Sequence, residues 1–259
     1  MRRVRWVFLI AVAGLIACDS TGPNSLGNVQ VSFATQGVGP QPLEAVAPSV
    51  FGFRDDTIAS GADTIILSSV EIVLREIELE RVDGSGACDD DAGEGDGEGD
   101  DGDCEELELG PFLISLPLDG SVSTQLAVDI PPASYSEIEF EVHKPDDDDA
   151  GDEEFLAQHP DFVDVSIRVQ GTYNGQAFVF ETDLNVEQEL EFSPPLEVTD
   201  DDQTNVTIRV ALDAWFRAAG GALYDPATGN KGGQNESAIK DNIIESFEAF
   251  EDDDRDGER

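Results

Sequence analysis

The chain has 259 residues, of which 57 are acidic and 14 are basic, and its formal net charge at pH 7 is −43. Such a charge repels nucleic acids and anionic lipid faces, so neither is expected as a partner of the folded part. The length allows one large β domain or two small ones, and a hydrophobic content of 39% is enough to fill a core.

The N-terminus has the pattern of a bacterial lipoprotein export signal. Residues 1–17 combine a basic start with an apolar run that ends at Ile16, and Cys18 follows the small Ala17. The apolar run is about half as long as the roughly 20 residues that a membrane-spanning helix needs. We therefore expect cleavage before Cys18, lipid on its thiol, and an extracytoplasmic protein that the lipid holds at the membrane. Residues 18–27 are then a flexible tether.

Residues 28–250 are predicted to form an all-β fold, an antiparallel β-sandwich, because short segments with alternating apolar residues recur along them. The segments are 29–33, 69–79, 107–109, 112–116, 126–130, 138–142, 163–169, 178–180, 190–192 and 206–212. The alternation shifts by one residue at Arg75-Glu76, which predicts a β-bulge there. Asn174-Gly175 predicts a tight hairpin turn, since both residues tolerate positive φ.

Residues 130–140 read Ile-Pro-Pro-Ala-Ser-Tyr-Ser-Glu-Ile-Glu-Phe. They resemble a family of uncharacterised bacterial lipoprotein domains, a domain of unknown function with an immunoglobulin- or transthyretin-like sandwich. In that family a proline-containing turn and a tyrosine lead into a strand, as Pro131-Pro132 and Tyr135 do here. The resemblance covers about residues 64–145. It implies fold and location, and it implies no catalytic residue.

Cys88 and Cys104 remain as a pair when Cys18 carries lipid. Disulfides persist outside the cytoplasm, so we predict that these two residues are bonded. Residues 89–103 between them consist of Asp, Glu, Gly and one Ala. The bond would close an acidic loop at the tip of a hairpin, which is worth about 3 kcal/mol in the chain-entropy model.

A single amphipathic helix is predicted at about residues 236–250. Apolar side chains recur there at helical spacing; they are Ile239, Ile243, Phe247 and Phe250. Asn235 or Ser237 can cap its N-terminus. We expect the aromatic face to pack on one end of the sandwich, beside Trp215 and Phe216.

Residues 251–259 form an acidic tail with the pattern D-x-D-x-D-G. Asp252, Asp254 and Asp256 have the spacing of the first half of a calcium-binding loop. A solvated tail is the favoured interpretation. Calcium binding, alone or with residues 200–202 or the 89–103 loop, is the alternative. Calorimetry in millimolar calcium distinguishes them, because a calcium site requires binding heat and a thermal shift.

The sequence favours a non-catalytic binding or structural module, with a protein or a glycan as its partner. It contains no nucleophile elbow, zinc-protease motif or phosphate-binding loop. His143 and His159 flank acidic residues without the spacing of transition-metal ligands. Two alternatives remain open: a carbohydrate-active or other hydrolase with paired carboxylates, and a salt-adapted envelope protein without a specific ligand.

Overall fold

The computed structural model describes residues 26–36, 57–82, 106–107, 110–200 and 203–259. Within these ranges the strands are β1 (Gly27–Thr35), β2 (Thr57–Ser60), β3 (Asp63–Arg81), β4 (Glu106–Leu107), β5 (Phe112–Ser115), β6 (Ser123–Ile130), β7 (Ala133–Val142), β8 (Ile167–Tyr173), β9 (Gln176–Thr182), β10 (Val186–Val198), β11 (Gln203–Val210) and β12 (Phe247–Glu251). The α-helices are α1 (Glu153–Gln158), α2 (Leu212–Trp215) and α3 (Glu236–Ile244). Two 3-10 helices cover Pro160–Phe162 and Pro226–Gly229.

The strands form two sheets, so the predicted all-β sandwich is confirmed. The first sheet has the order β12-β11-β1-β6. The second has the order β10-β7-β3-β8-β9, and β2, β4 and β5 also pair with β3. Most neighbours are antiparallel, whereas β1 and β11 run parallel. That pairing joins segments from opposite ends of the domain and therefore lies beyond what a local alternation pattern can indicate.

The core lies between the two sheets. Val31 and Phe33 of β1 project into it from the first sheet, and Ile72, Phe140 and Phe180 project from the second. Each of these side chains is at most 1% exposed. Every second residue of a strand points to this inner face, and the apolar residues of the alternating segments occupy these positions.

The β-bulge predicted at Arg75-Glu76 is confirmed. The register between β3 and β7 shifts between Arg75 and Ile77, and Glu76 has a φ of 53°. Because of this extra residue, Leu74 before the bulge and Ile77 after it both point into the core. The bulge therefore keeps the apolar residues after it on the inner face of β3 and places Glu78 on the outer face.

Two predicted hairpins are confirmed. Asn174 and Gly175 connect β8 to β9 with φ values of 50° and 79°, as a turn with two left-handed residues requires. The other hairpin pairs β3 with β4, with Ile77 opposite Leu107. Cys88 and Cys104 lie between these strands but outside the described residues, so their disulfide stays a prediction.

The predicted helix at 236–250 is correct only in its first part. Helix α3 ends at Ile244, and β12 follows, antiparallel to β11. The spacing of Phe247 and Phe250 continues a helical stripe, but their backbone hydrogen bonds go to β11 instead. Pairing with β11 satisfies these backbone groups and also those along the edge of β11, which a longer helix would leave unpaired.

The packing of α3 follows the prediction, but its capping does not. Trp215 and Phe216 are fully buried near the helix, and the Asn242 side chain donates to the Trp215 carbonyl at 3.0 Å. Asn235 occupies the N-cap position without a side-chain cap bond. Its amide instead donates to Thr228 Oγ1 at 2.7 Å, which ties the start of the helix to the preceding loop.

The strand predicted at 163–169 begins only at Ile167. The segment before it folds as α1 and the Pro160–Phe162 3-10 helix, and Phe155 and Phe162 pack with Val73 as a small separate core. In the charged stretch before Val163, apolar residues do not recur at helical spacing, so the sequence alone gave no indication of these helices. None of the helices in the described part of the chain has the length and apolarity to cross a bilayer.

Candidate functional site

The outer face of the second sheet carries a regular array of glutamates on three adjacent strands. In β3, β7 and β10, glutamates alternate with core residues and therefore all point outward. The strand register aligns them in rows: Glu78, Glu139 and Glu189; Glu80, Glu137 and Glu191; and Glu141 with Glu187. We call these eight residues the glutamate face.

Burial and directly opposed like charges both disfavour ionised carboxylates at the centre of the face. The pKa of Glu139 is raised from 4.5 to about 7, mainly because burial removes water from its carboxylate. Repulsion from Glu137, Glu187 and Glu189 adds to the shift. Burial also raises the pKa of Glu137, and repulsion from Glu80 contributes. Protons or cations are therefore stabilised at the centre of this face.

Carboxylates converge at two places on this face. Oxygen atoms of Glu80, Glu137 and Glu139 lie within 4.8 Å of one another. Beside them, a shallow cavity of about 230 Å³ opens where the bulge in β3 faces β7 and β10. Its charged lining is formed by Arg75, Glu76, Glu78, Glu139, Glu141 and Glu187.

Arg75 supplies positive charge at one edge of the cavity. Its guanidinium lies 3.0 Å from Glu141 Oε2 and 2.9 Å from Glu76 Oε1. The Asn185 side chain donates to Glu141 Oε1 at 2.7 Å. Glu141 is therefore held by partners within the protein, whereas the rows around Glu139 consist of opposed acids.

The C-terminal motif also brings its acids together. Carboxylate oxygens of Asp252, Asp254 and Asp256 lie within 4.8 Å of one another. Asp252 is only 2% exposed, whereas the other two are exposed. The spatial convergence predicted by the D-x-D-x-D-G pattern is thus present.

Hydrogen bonds already occupy the Asp252 carboxylate. It accepts one from Thr207 Oγ1 at 2.7 Å and one each from the Asp256 and Gly257 N–H groups at 3.1 Å. Arg255 follows in the turn and donates to Asn205 Oδ1 at 2.9 Å. The expectation of a solvated tail is therefore wrong for Asp252, whose hydrogen bonds hold the tail to the first sheet, whereas residues 253–256 are exposed. Calcium binding there stays a prediction, and the ion would share Asp252 with these donors.

The two histidines occupy unrelated surroundings. His143 is buried, and its Nε2 lies 2.8 Å from Asp152 Oδ1. His159 packs against the Phe155 ring with 4.8 Å between centroids. Among the described residues, neither histidine belongs to a group of three convergent acidic, histidine or cysteine side chains.

Several predicted site residues lie outside the described ranges. They are Cys18, Cys88, Cys104, the 89–103 loop, Asp201 and Asp202. Lipidation of Cys18, the disulfide and cation binding by the loop therefore remain predictions from the sequence.

The glutamate face is the functional candidate that our sequence interpretation missed. Its signal was present as glutamate at every second position of residues 137–141 and 187–191. Alternation alone shows that these side chains share one face of each strand. It could not show that Glu139 lies between Glu78 and Glu189, because register between distant strands is a long-range property.

No family model, curated protein or solved structure matches the chain.

Proposed function

We propose that the protein is a lipid-anchored extracytoplasmic binding module without catalytic activity, and that the glutamate face binds a cationic partner. The observation that carries the proposal is the alignment of eight glutamates in rows across β3, β7 and β10. A purely structural sheet gains nothing from directly opposed acids, which weaken the pairing of its strands. A cationic ligand on this face would reverse that cost.

The export signal and Cys18 support the location. A lipid on Cys18 would hold the sandwich close to the membrane, with residues 18–27 as the connection. Membrane attachment then comes from the acyl chains, since a protein of this charge gains no attraction from anionic lipid headgroups.

The partner that fits best is a lysine- or arginine-rich segment of another protein. The glutamate face lies on a continuous sheet and offers several carboxylates in fixed register. A row of carboxylates can pair with successive basic side chains of an extended peptide, and the negative potential would also accelerate encounter.

Charge-neutral variants test this proposal with an oligolysine peptide as the probe. In the test variant, measured at pH 8 so that Glu139 is largely ionised, Glu137→Gln, Glu139→Gln and Glu189→Gln remove three charges from the face. In the control, Glu153→Gln, Glu154→Gln and Asp253→Asn remove three exposed charges elsewhere. We expect the test variant to bind about tenfold more weakly at physiological ionic strength, a loss of about 1.4 kcal/mol. Equal weakening in both variants would show that only net charge matters.

A hydrolase is the second candidate, favoured by one specific observation. The 230 Å³ cavity holds Glu139 beside Glu187, and the pKa of Glu139 is raised to about 7 by burial and by neighbouring carboxylates. A carboxyl group that keeps its proton near pH 7 is the general acid that glycoside hydrolysis requires. Turnover of a glycan panel that Glu139→Gln abolishes, while Glu154→Gln leaves it intact, would favour the hydrolase over the binding module.

A further inference from the structure

Glu139 lies at the centre of the glutamate face, between acids on both neighbouring strands. Glu78 of β3 is paired with it on one side, and Glu189 of β10 is paired with it on the other. Along β7, Glu137 and Glu141 flank it on the same face. The row through Glu139 therefore contains no positive charge.

A hydrogen bond joins the carboxyl group of Glu139 to that of Glu187 on β10. An ionised carboxylate only accepts hydrogen bonds, so this contact needs a proton on one of the two groups. Burial raises the pKa of Glu139 to about 7, and repulsion from neighbouring acids and the bond to Glu187 add to the shift. Glu187 is exposed, so water can solvate its negative charge. Glu139 is therefore the group that keeps the proton.

The positive side chains of β3 have partners of their own. Arg75 lies 3.0 Å from Glu141 Oε2 and 2.9 Å from Glu76 Oε1, and the Arg81 guanidinium lies 5.9 Å from the centroid of the Tyr135 ring. Among the described residues of β3, β7 and β10, the other charged groups around Glu139 are carboxylates: Glu78, Glu80, Glu137, Glu187, Glu189 and Glu191. Either a proton or a cationic ligand would relieve the repulsion among them.

We propose that a proton on Glu139, shared with Glu187, competes with the cationic partner for the glutamate face, so that acidification from pH 8 to pH 6 weakens binding. This inference rests on the proposed function and adds the control of that contact by pH. A lysine or arginine side chain at the centre of the face takes the place of the proton as the positive charge between the two carboxylates. A partner held near pH 8 is then released more readily as the surroundings become acidic.

The range from pH 6 to pH 8 isolates this proton from most other groups. Ordinary carboxyl side chains have pKa values of about 4 and lysine has a pKa of about 10, so most surface acids and an oligolysine probe keep their charge. Histidine as a residue type also titrates in this range. A Glu139→Gln variant keeps both histidines of the chain, so it separates their effect from that of Glu139.

Carbon-13 nuclear magnetic resonance of the glutamate carboxyl groups gives the first test, and it needs no partner. The signal that disappears in Glu139→Gln is that of Glu139. We expect it to titrate with a midpoint of about pH 7. A midpoint of about pH 4.5 would overturn the proposal, because Glu139 would then hold no proton at pH 6.

Oligolysine binding at pH 8 and pH 6, at constant ionic strength, gives the second test. We expect the dissociation constant of the wild type to rise about threefold on acidification, because one charge of the contact surface is lost. Glu139→Gln should bind at pH 8 as weakly as the wild type does at pH 6, and its affinity should not change with pH. Glu153→Gln removes an exposed charge elsewhere and should keep the threefold change.

Different results separate the control by pH from the contact surface itself. Wild-type binding that Glu139→Gln weakens at pH 8, but that is equally strong at pH 6, would overturn the control by pH and leave the contact surface intact. A pH dependence that Glu139→Gln retains would assign it to other groups and would also overturn the inference. Absence of binding at pH 8 would overturn the proposed function and this inference with it.

Discussion

At the scale of single residues, Asp252 shows how an acid in a charged tail becomes part of the fold. Its carboxylate accepts three hydrogen bonds, and its N–H donates to the Asn205 carbonyl at 2.9 Å. The neighbouring Asp253 and Asp254 make no such contribution to the packing and are exposed. The sequence pattern treats these acids alike, but the contacts separate them.

We predict that Asp252→Ala destabilises the protein by about 1–3 kcal/mol, since it leaves the buried Thr207 hydroxyl and two N–H groups without their acceptor. Urea unfolding measures the change. Asp254→Ala is the matched control and should stay within about 0.5 kcal/mol of the wild type. Equal effects of the two substitutions would contradict the role of Asp252.

Glu139 gives a prediction whose sign depends on pH. Its pKa is raised from 4.5 to about 7, so the folded state favours the protonated carboxyl group. The stability gained in this way is fully present below about pH 4.5 and is lost as the pH rises through 7. Glutamine stays uncharged at every pH. Glu139→Gln should therefore stabilise the protein by about 1 kcal/mol at pH 8, a value reduced for partial exposure, and should have little effect at pH 4.5.

Urea unfolding at both pH values checks the prediction for Glu139. Glu245→Gln, at an exposed position after α3, is the control and should show no such difference between pH 4.5 and pH 8. A loss of stability in Glu139→Gln at pH 8 would mean that the carboxylate has a favourable partner rather than repulsive neighbours.

At the scale of elements, the pairing of β3 with β8 depends on a close approach at Gly171. A Cβ atom at this position would lie 2.2 Å from the Ile66 carbonyl oxygen in the neighbouring strand. We predict that Gly171→Ala costs about 1–3 kcal/mol, because backbone must move to relieve the overlap.

Thermal unfolding is a suitable measurement for the Gly171 prediction. Gly220→Ala is the control, because no atom lies within 4 Å of a Cβ built at Gly220. A melting temperature for Gly171→Ala that equals that of the control would show that the two strands can separate locally without cost.

The strands were predictable where one face of a strand meets the core. The alternation around Ile72 and Phe140 is a local consequence of burial, and so is the shift at Glu76. Strand β12 was not predictable in the same way, because Phe247 and Phe250 fit a helix as well as a strand. These residues form a strand because they pair with the edge of β11, which is more than 30 residues away in the sequence.

The candidate site was only partly predictable, for a similar reason. The convergence of Asp252, Asp254 and Asp256 follows from spacing within one turn. The glutamate face depends on the register of three strands, of which β3 and β10 are far apart in the sequence. Local patterns contain no information about such long-range neighbours.

At the scale of the whole molecule, the acids are unevenly distributed over the second sheet. Eight glutamates occupy the outer face of β3, β7 and β10, whereas that of β8 and β9 carries Arg168, Gln170, Val179 and a single glutamate, Glu181, which pairs with Arg168. General adaptation to high salt predicts acids over the whole surface. The concentration on one half favours a defined contact surface.

The location of the molecule gives a further prediction. Cys18→Ser removes the thiol that lipidation requires, so the protein should move from the membrane fraction to the soluble fraction of the envelope. Mass spectrometry of the N-terminal peptide should show acyl chains only when Cys18 is present. Ser20→Ala is the control and should remain attached. Membrane attachment of Cys18→Ser would contradict the lipid anchor.

The central claim is that the glutamate face is the contact surface for a cationic partner. Carbodiimide coupling of a bound oligolysine peptide, followed by mass spectrometry, measures this most directly because it joins amines to the carboxylates that they contact. We predict cross-links concentrated on Glu137, Glu139 and Glu189. Cross-links spread over exposed acids such as Glu153, Glu154 and Asp253, in proportion to their exposure, would contradict the account.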